Sequence, residues 1–279
     1  MGGPSSIGFL QHLCSSVAEA IELPVLLVAA HPDDEVIGAG TRLPRLRGVH
    51  VAYVTDGAPL DMRDATRLGF RSRDAYAEAR AREASAGLAL VDVDPARVHR
   101  LGLVDQAASL HMAELTRTLL GLIHDTAARV VLTHAYEAGH PDHDATALAA
   151  HLACRLIHDA GLEPPLVVEF AGYHDADGSG RLAVLEFLPA DTPAATVALS
   201  EAEQALKRRL VACHATQAEV LRQFPLDRER FRLAPAYDFL APPHPWRPFY
   251  EHFVAGMDGV RWRHLAAGTL AGFGVAGPI

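Results

Sequence analysis

The chain has 279 residues, a formal net charge of −9 and a hydrophobic fraction of 49%. That length suits one large α/β domain or two small ones, and so apolar a composition excludes a disordered chain. The acidic balance argues against a nucleic-acid partner, whose phosphates require a basic surface.

In chain order, Phe9–Leu23 has apolar residues at helical spacing and reads as an opening helix. VLLVAA, from Val25, is a short apolar run of the kind buried on both faces of a parallel sheet. Val49–Gly57 predicts a second strand, Arg71–Leu90 a long helix, and RVHRLGLVD, ending at Asp105, a third strand. Leu110–Thr126 predicts a helix, Arg129–Ala135 a fourth strand, and Asp142–Ala160 a helix closed by Gly161. Strands alternating with helices predict an α/β fold, Rossmann-like, with a mostly parallel sheet, helices on both faces and ligands bound at the strands' C-terminal edge. After Pro165 the pattern changes. LVVEFAGYHD and RLAVLEFLP flank a Gly-rich turn and predict a hairpin or two edge strands. Ser200–Phe224 predicts a helix or broken helix pair, the Pro- and aromatic-rich stretch after Pro225 a wrapping loop, and the tail from Gly268 a peripheral segment. The expectation is a single domain over 1–279, with an α/β core over 1–165 and a C-terminal appendage over 166–279.

Cys14, Cys154 and Cys213 are dispersed and form no CxxC pair, which suits a reducing compartment. No apolar run approaches the roughly 20 residues of a membrane-spanning helix, and the start lacks a signal peptide's basic and apolar regions. The expected location is cytoplasmic, without stable membrane insertion. MGGPSS formally fits a myristoylation pattern but reads as a flexible start.

Two clusters stand at equivalent places. AHPDDE follows the first strand, and AGHPDHDA, Ala138–Ala145, follows the fourth. His31 and Asp34 are three apart, as are His140 and His143, and residues three apart at a helix start share a face. His31, Asp34 and His143 make a two-histidine, one-carboxylate set. With water in the open position that set forms a catalytic zinc site, although Fe²⁺ or another divalent metal uses it too. Asp33, beside the ligands but out of phase with them, is placed to take a proton from metal-activated water attacking a carbonyl carbon. His140 is left either to stabilise the oxyanion or to protonate the leaving amine, with Asp142 holding its ring in one tautomer. Tyr136 and His174, near strand ends, are candidates to line the pocket. His111, His124, His151, His158 and His214 fall in predicted helices and are read as structural or surface residues.

AHPDDE with a later HPDH resembles the zinc-dependent de-N-acetylase family of the PIG-L/LmbE type, which includes the N-acetylglucosaminyl-phosphatidylinositol deacetylases. The resemblance reaches to about Phe224. It implies a Rossmann-like fold and removal of an acetyl group from an N-acetylated sugar. It also implies metal ligands at His31, Asp34 and His143, a base at Asp33 and an oxyanion-stabilising histidine at His140. Weaker matches follow. VTDG resembles the family's turn after the second strand, with Ala58 where a glutamate is usual. RAREASAGLAL resembles its Arg-Glu helix and implies a substrate contact at Arg82. LGLVDQ implies another at Asp105. KRRLVACHATQ resembles its late helix, with Thr216–Gln217 where Ser-Gln is usual. The expected partner is a small N-acylated sugar or glycoconjugate, with homo-oligomerisation left open. A thiol-conjugate type amidase and a non-catalytic metal-dependent sugar-binding protein are the rival readings.

Overall fold

The structure is a computed structural model and describes residues 6–16 and 19–279. Met1–Ser5, with most of the myristoylation-like stretch, lies outside the described residues. The elements in chain order are α1 Ser6–Cys14, β1 Val25–Ala29, α2 Asp34–Ala39, β2 His50–Pro59, α3 Arg63–Arg67, α4 Arg73–Ala89, β3 Val98–Asp105, α5 Met112–Asp125, β4 Val130–His134 and α6 Pro141–Asp159. There follow β5 Leu166–Phe170, β6 Tyr173–Asp175, β7 Leu182–Val184, β8 Ala194–Ala198, α7 Glu201–Cys213, α8 Ala218–Leu221, β9 Arg228–Leu233 and α9 Gly259–Gly272.

The main sheet has the strand order β3-β2-β1-β4-β5-β9-β8. β3 through β5 run parallel, and β9 and β8 add antiparallel strands at the far edge. The chain builds outward from β1 to β3 and then returns to β4 on the other side of β1. This reversal leaves a crevice at the C-terminal ends of β1 and β4, where ligands bind in open α/β sheets. Every residue of β1 and of β4 is buried, as strands covered on both faces require. Leu26 and Val28 point into one core layer with Met112, Leu119, Leu148 and Trp262. Val25, Leu27 and Ala29 point into the other with Leu10, Leu88 and Leu210. No helix among the described residues is long and apolar enough to cross a membrane.

The elements expected up to residue 160 are present, with ends moved by a few residues; the opening helix is the shorter α1. Beyond that point β8 is an additional strand, outside every predicted element, and three readings differ. Leu166–Phe170 is not an edge hairpin strand but the fifth parallel strand, and only β6 and β7 pair as a hairpin. Its turn is closed by the Asp175 carboxylate, which accepts the amides of Asp177, Gly178 and Gly180. The second difference is β9, which joins the main sheet in a region read as loop. Its sequence RERFRL looks solvated, yet Glu229 and Arg232 are buried because each has charged partners: Lys207 for Glu229, and Glu169 for Arg232. The third is α9, which starts from an Asp258 cap and is not peripheral: Trp262 and Leu270 are core residues, and the Trp262 indole donates to the Pro141 carbonyl. The break between α7 and α8 is as expected.

Candidate active site and metal centre

β1 delivers the chain to the sheet edge at Ala30, and the segment His31–Asp34 turns at once into α2. β4 does the same at His134, and a short loop brings His140–His143 to the start of α6. Pro141 opens that helix, where its missing amide donor costs nothing. Because β1 and β4 are neighbours, both clusters arrive at one point.

His31 Nδ1 lies 3.2 Å from His143 Nε2. His31 Nδ1 is 3.3 Å from Asp34 Oδ2, and His143 Nε2 is 3.3 Å from Asp34 Oδ1. Ligands bound tetrahedrally at zinc–nitrogen and zinc–oxygen distances stand about 3.4 Å apart, so these spacings suit a shared cation. The proton bookkeeping agrees. His31 Nε2 faces two carboxylates, Asp142 Oδ2 at 3.4 Å and Asp105 Oδ1 at 3.1 Å, so the ring proton belongs there. Its Nδ1 lone pair then points at another ring nitrogen and a carboxylate, an electron-rich trio that a divalent cation satisfies. Burial disfavours charge on His31, but Asp105, then Asp142 and Asp34, outweigh it and hold its pKa well above the usual value. For Asp34 burial is again opposed, and His143 and His134 hold the carboxylate well below its usual range.

His134 was not anticipated. Its Nε2 stands 3.3 Å from Asp34 Oδ2, but the same nitrogen accepts the Ala30 amide at 2.9 Å. With its lone pair engaged, it suits the role of a buttress for Asp34 better than that of a ligand.

Asp33 has φ 145°, a conformation that non-glycine residues avoid. Two contacts hold it: the Asp33 amide donates to Glu35 Oε2 at 3.1 Å, and Arg80 Nη2 donates to Asp33 Oδ2 at 2.9 Å. Burial pushes the Asp33 pKa up to about 7, with Arg80 opposing and Asp34 adding to the rise.

Asp142 does not hold the His140 ring by its side chain. Its carboxylate accepts the amides of Gln106 and Ala108 and faces His31. The Asp142 backbone amide instead donates to His140 Nδ1 at 3.2 Å, which leaves the ring proton on Nε2. Burial, then His31 and His143, hold the His140 pKa well below its usual value, and the amide at Nδ1 leaves Nε2 as the ring's donor. This corrects the expected role of Asp142, and its cause is local: at the second helical position the main chain, not the side chain, points back at His140.

Of the expected substrate contacts, Asp105 lines the cleft, against His31 and 3.8 Å from Arg80. Arg82 does not: it is exposed and pairs with Glu78. Residues two apart lie on opposite helix faces, and the buried arginine of this helix is Arg80. Tyr136 is not in the cleft either; its hydroxyl donates to the Ala241 carbonyl and its ring stacks on Trp262. Strand alternation turns His174 away and puts Tyr173 over His143, ring centroids 5.4 Å apart. Gln217 lines the cleft and donates to the Tyr76 hydroxyl, while Glu83 accepts from the Thr216 amide and hydroxyl and fixes that turn. The cleft, of about 310 Å³, is polar along Arg80, Asp105 and Gln217 and apolar along Tyr173, Phe224, Phe249 and Phe253.

Residues 26–154 match the family described as PIG-L: GlcNAc-PI de-N-acetylase. Over 160 residues the chain is 29% identical to 1D-myo-inositol 2-acetamido-2-deoxy-alpha-D-glucopyranoside deacetylase 2 of Catenulispora acidiphila, covering 49% of this chain and 53% of that protein. The chain therefore spans about half the length of that curated relative. Among solved structures it is similar to a deacetylase of teicoplanin biosynthesis, with TM-score 0.58 and 18% identity over 75% of this chain and 96% of that one. It is also similar to N,N'-diacetylchitobiose deacetylase from Pyrococcus horikoshii, with TM-score 0.55 and 17% identity over 89% and 94%. At such identities these two structures share the fold.

Proposed function

We propose that this chain, which carries a PIG-L family domain, hydrolyses the N-acyl amide of an amino sugar or glycoconjugate with the help of a divalent cation, zinc being the expected one. The observation that carries the reading is the donor set of His31, Asp34 and His143, with Asp33 and His140 flanking it. A cation held by the three ligands supplies, when bound, polarisation of the amide carbonyl and acidification of water. Asp33 takes a proton from the water as its oxygen bonds to the carbonyl carbon. The His140 Nε2–H donates to the carbonyl oxygen as that atom gains charge. Collapse breaks the C–N bond, and the proton held by Asp33 passes to the leaving nitrogen. The products are a free amine and a carboxylic acid, so atoms and charges balance.

Arg80 keeps Asp33 aimed, and Asp142 and Asp105 orient His31 through its other nitrogen, as partners of metal-binding histidines commonly do. A pKa near 7 lets Asp33 both accept and return a proton at neutral pH. A protein that only bound a sugar through a metal would have no use for such a base in a strained conformation, which disfavours the non-catalytic reading. The test is release of amine and acetate from N-acetylated amino sugars by the zinc-loaded protein. Asp33→Asn is expected to retain zinc and lose roughly 10²–10⁴-fold in turnover. A variant within a few-fold of wild type would remove Asp33 from this role.

A further inference from the structure

We propose that the acyl group this site removes is apolar and longer than acetyl, seated on the wall formed by Tyr173, Phe224, Phe249 and Phe253; the inference rests on the N-deacylase reading above.

The wall begins at the reacting atoms and runs outward without a gap. Tyr173 stands edge-on to His143, and the Phe253 ring lies 5.6 Å from that of His140. Tyr173 contacts both Phe249, at 6.0 Å, and Phe224, at 6.1 Å, and Phe249 contacts Phe253 at 5.6 Å. Leu182 and Val220 also line the cleft. The wall is fixed in place: the Phe249 amide donates to the Ala138 carbonyl, in the loop that leads to His140. Its outer members stay open to solvent, Phe253 at 36% and Val220 at 43%.

Apolar surface joined to a polar reaction centre and left partly uncovered fits the apolar part of a substrate. A sugar ring lays only its C–H face on such rings, and its hydroxyls still need hydrogen-bond partners that phenyl and alkyl groups do not offer. Those partners are offered in the same cleft by Arg80, Asp105, Gln217 and Tyr76. The chemistry assigns the two sides. The leaving nitrogen takes its proton from Asp33, whose carboxylate is paired with Arg80, so the amine-bearing sugar lies towards Arg80. The oxygen that gains charge faces His140. The remaining substituent of the carbonyl carbon, the acyl chain, is then directed to the aromatic side. All four wall residues fall outside the stretch 26–154 that matches the family, so the wall belongs to the part of the chain free to set the choice of acyl group.

The test is a series of glucosamines carrying N-acetyl, N-butyryl, N-hexanoyl and N-octanoyl groups, with amine release measured for the zinc-loaded full chain. A fully buried methylene is worth about a fourfold gain, so kcat/KM is expected to rise about two- to fourfold per added methylene. Phe253→Ala is expected to cut the octanoyl-to-acetyl ratio by about tenfold, and Phe253→Leu to keep most of it. Acetyl as the best substrate, or a ratio unchanged in Phe253→Ala, would overturn the proposal. So would a gain produced by an octyl chain on the glycosidic oxygen and not on the nitrogen. A second readout separates this inference from the reading beneath it: calorimetric binding of octanoate and acetate to the same protein. Octanoate binding at least tenfold tighter supports the wall even if no amide is cleaved. Equal affinities overturn it even if acetyl is removed.

Discussion

His140 and His143 sit three residues apart on one helix start, yet the structure gives them different partners. His143 turns its Nε2 to His31 and Asp34, whereas His140 accepts a main-chain amide at Nδ1 and keeps a proton on Nε2. His140→Ala is therefore expected to bind zinc normally and to lose about 10²–10³-fold in turnover, the usual loss for one oxyanion donor. Asp142→Ala acts elsewhere. Its carboxylate faces His31, so the expected loss is about 10–100-fold in zinc affinity, measured by competition with a chelator. A zinc affinity equal to wild type would return Asp142 to His140. The meeting of His31, Asp34 and His143 was legible because HPDD and HPDH each follow a strand at the sheet's C-terminal edge. The partner of Asp142 was not, since adjacency in sequence does not say which of two neighbouring rings a carboxylate meets. Arg80 and Arg82 make the same point. Both lie in one helix, two residues apart, and only the helix's rotation against the sheet decides which is buried.

The helix that presents Asp34 is six residues long and is held by its surroundings. Lys207 of α7 donates to the Ile37 carbonyl and to Glu229 of β9, and Glu229 also accepts from the Thr41 amide and hydroxyl just past the helix. Lys207 and Glu229 are almost wholly buried. Removing one partner strands a buried charge, so Lys207→Met is expected to destabilise the fold by about 3–5 kcal/mol in urea unfolding. A loss under 1 kcal/mol would mean that α2 stands without this clamp. The clamp explains why β9 escaped sequence reasoning. A strand reading RERFRL looks exposed on both faces until Lys207 and Glu169 are known to pair with its charges and Thr41 to hydrogen-bond Glu229. The early strands, by contrast, are plain hydrophobic runs, which only burial explains.

At the scale of the whole molecule, burial of ionisable groups around the sheet edge sets the pH response. His214 is buried at the end of α7, 4.0 Å from Glu35. Burial, then repulsion by Arg80, lowers its pKa from 6.5 to about 4. A group whose folded pKa is depressed contributes its stability in full above the unfolded value and loses it as pH falls through the folded one. The contribution is about 3 kcal/mol, lost between pH 6.5 and about 4. Glu35 runs the other way: burial raises its pKa from 4.5 to about 8, so its contribution is full below 4.5 and lost as pH rises to about 8. His214→Gln is expected to flatten the fall of the urea midpoint between pH 6.5 and 4.5; parallel curves for variant and wild type would reject this source. The same scale shows how far the C-terminal segment belongs to the domain. Trp262 of α9 packs into the main core and bonds to the helix that carries His143, where a wrapping loop was expected, and Leu270 and Val275 of the Gly- and Ala-rich stretch from Gly268 join the same core.

Zinc content is the measurement closest to the central claim, that His31, Asp34 and His143 hold the cation that activates the amide. Wild type and His143→Ala would be dialysed against limiting zinc at neutral pH, then analysed for metal and for thermal midpoint. The prediction is roughly one equivalent bound by wild type and most of it lost in the variant, because two protein ligands hold zinc far less well than three. Zinc binding should also raise the thermal midpoint of wild type and leave that of the variant nearly unchanged. Equal zinc content in the two proteins would contradict the ligand assignment and the reaction built on it.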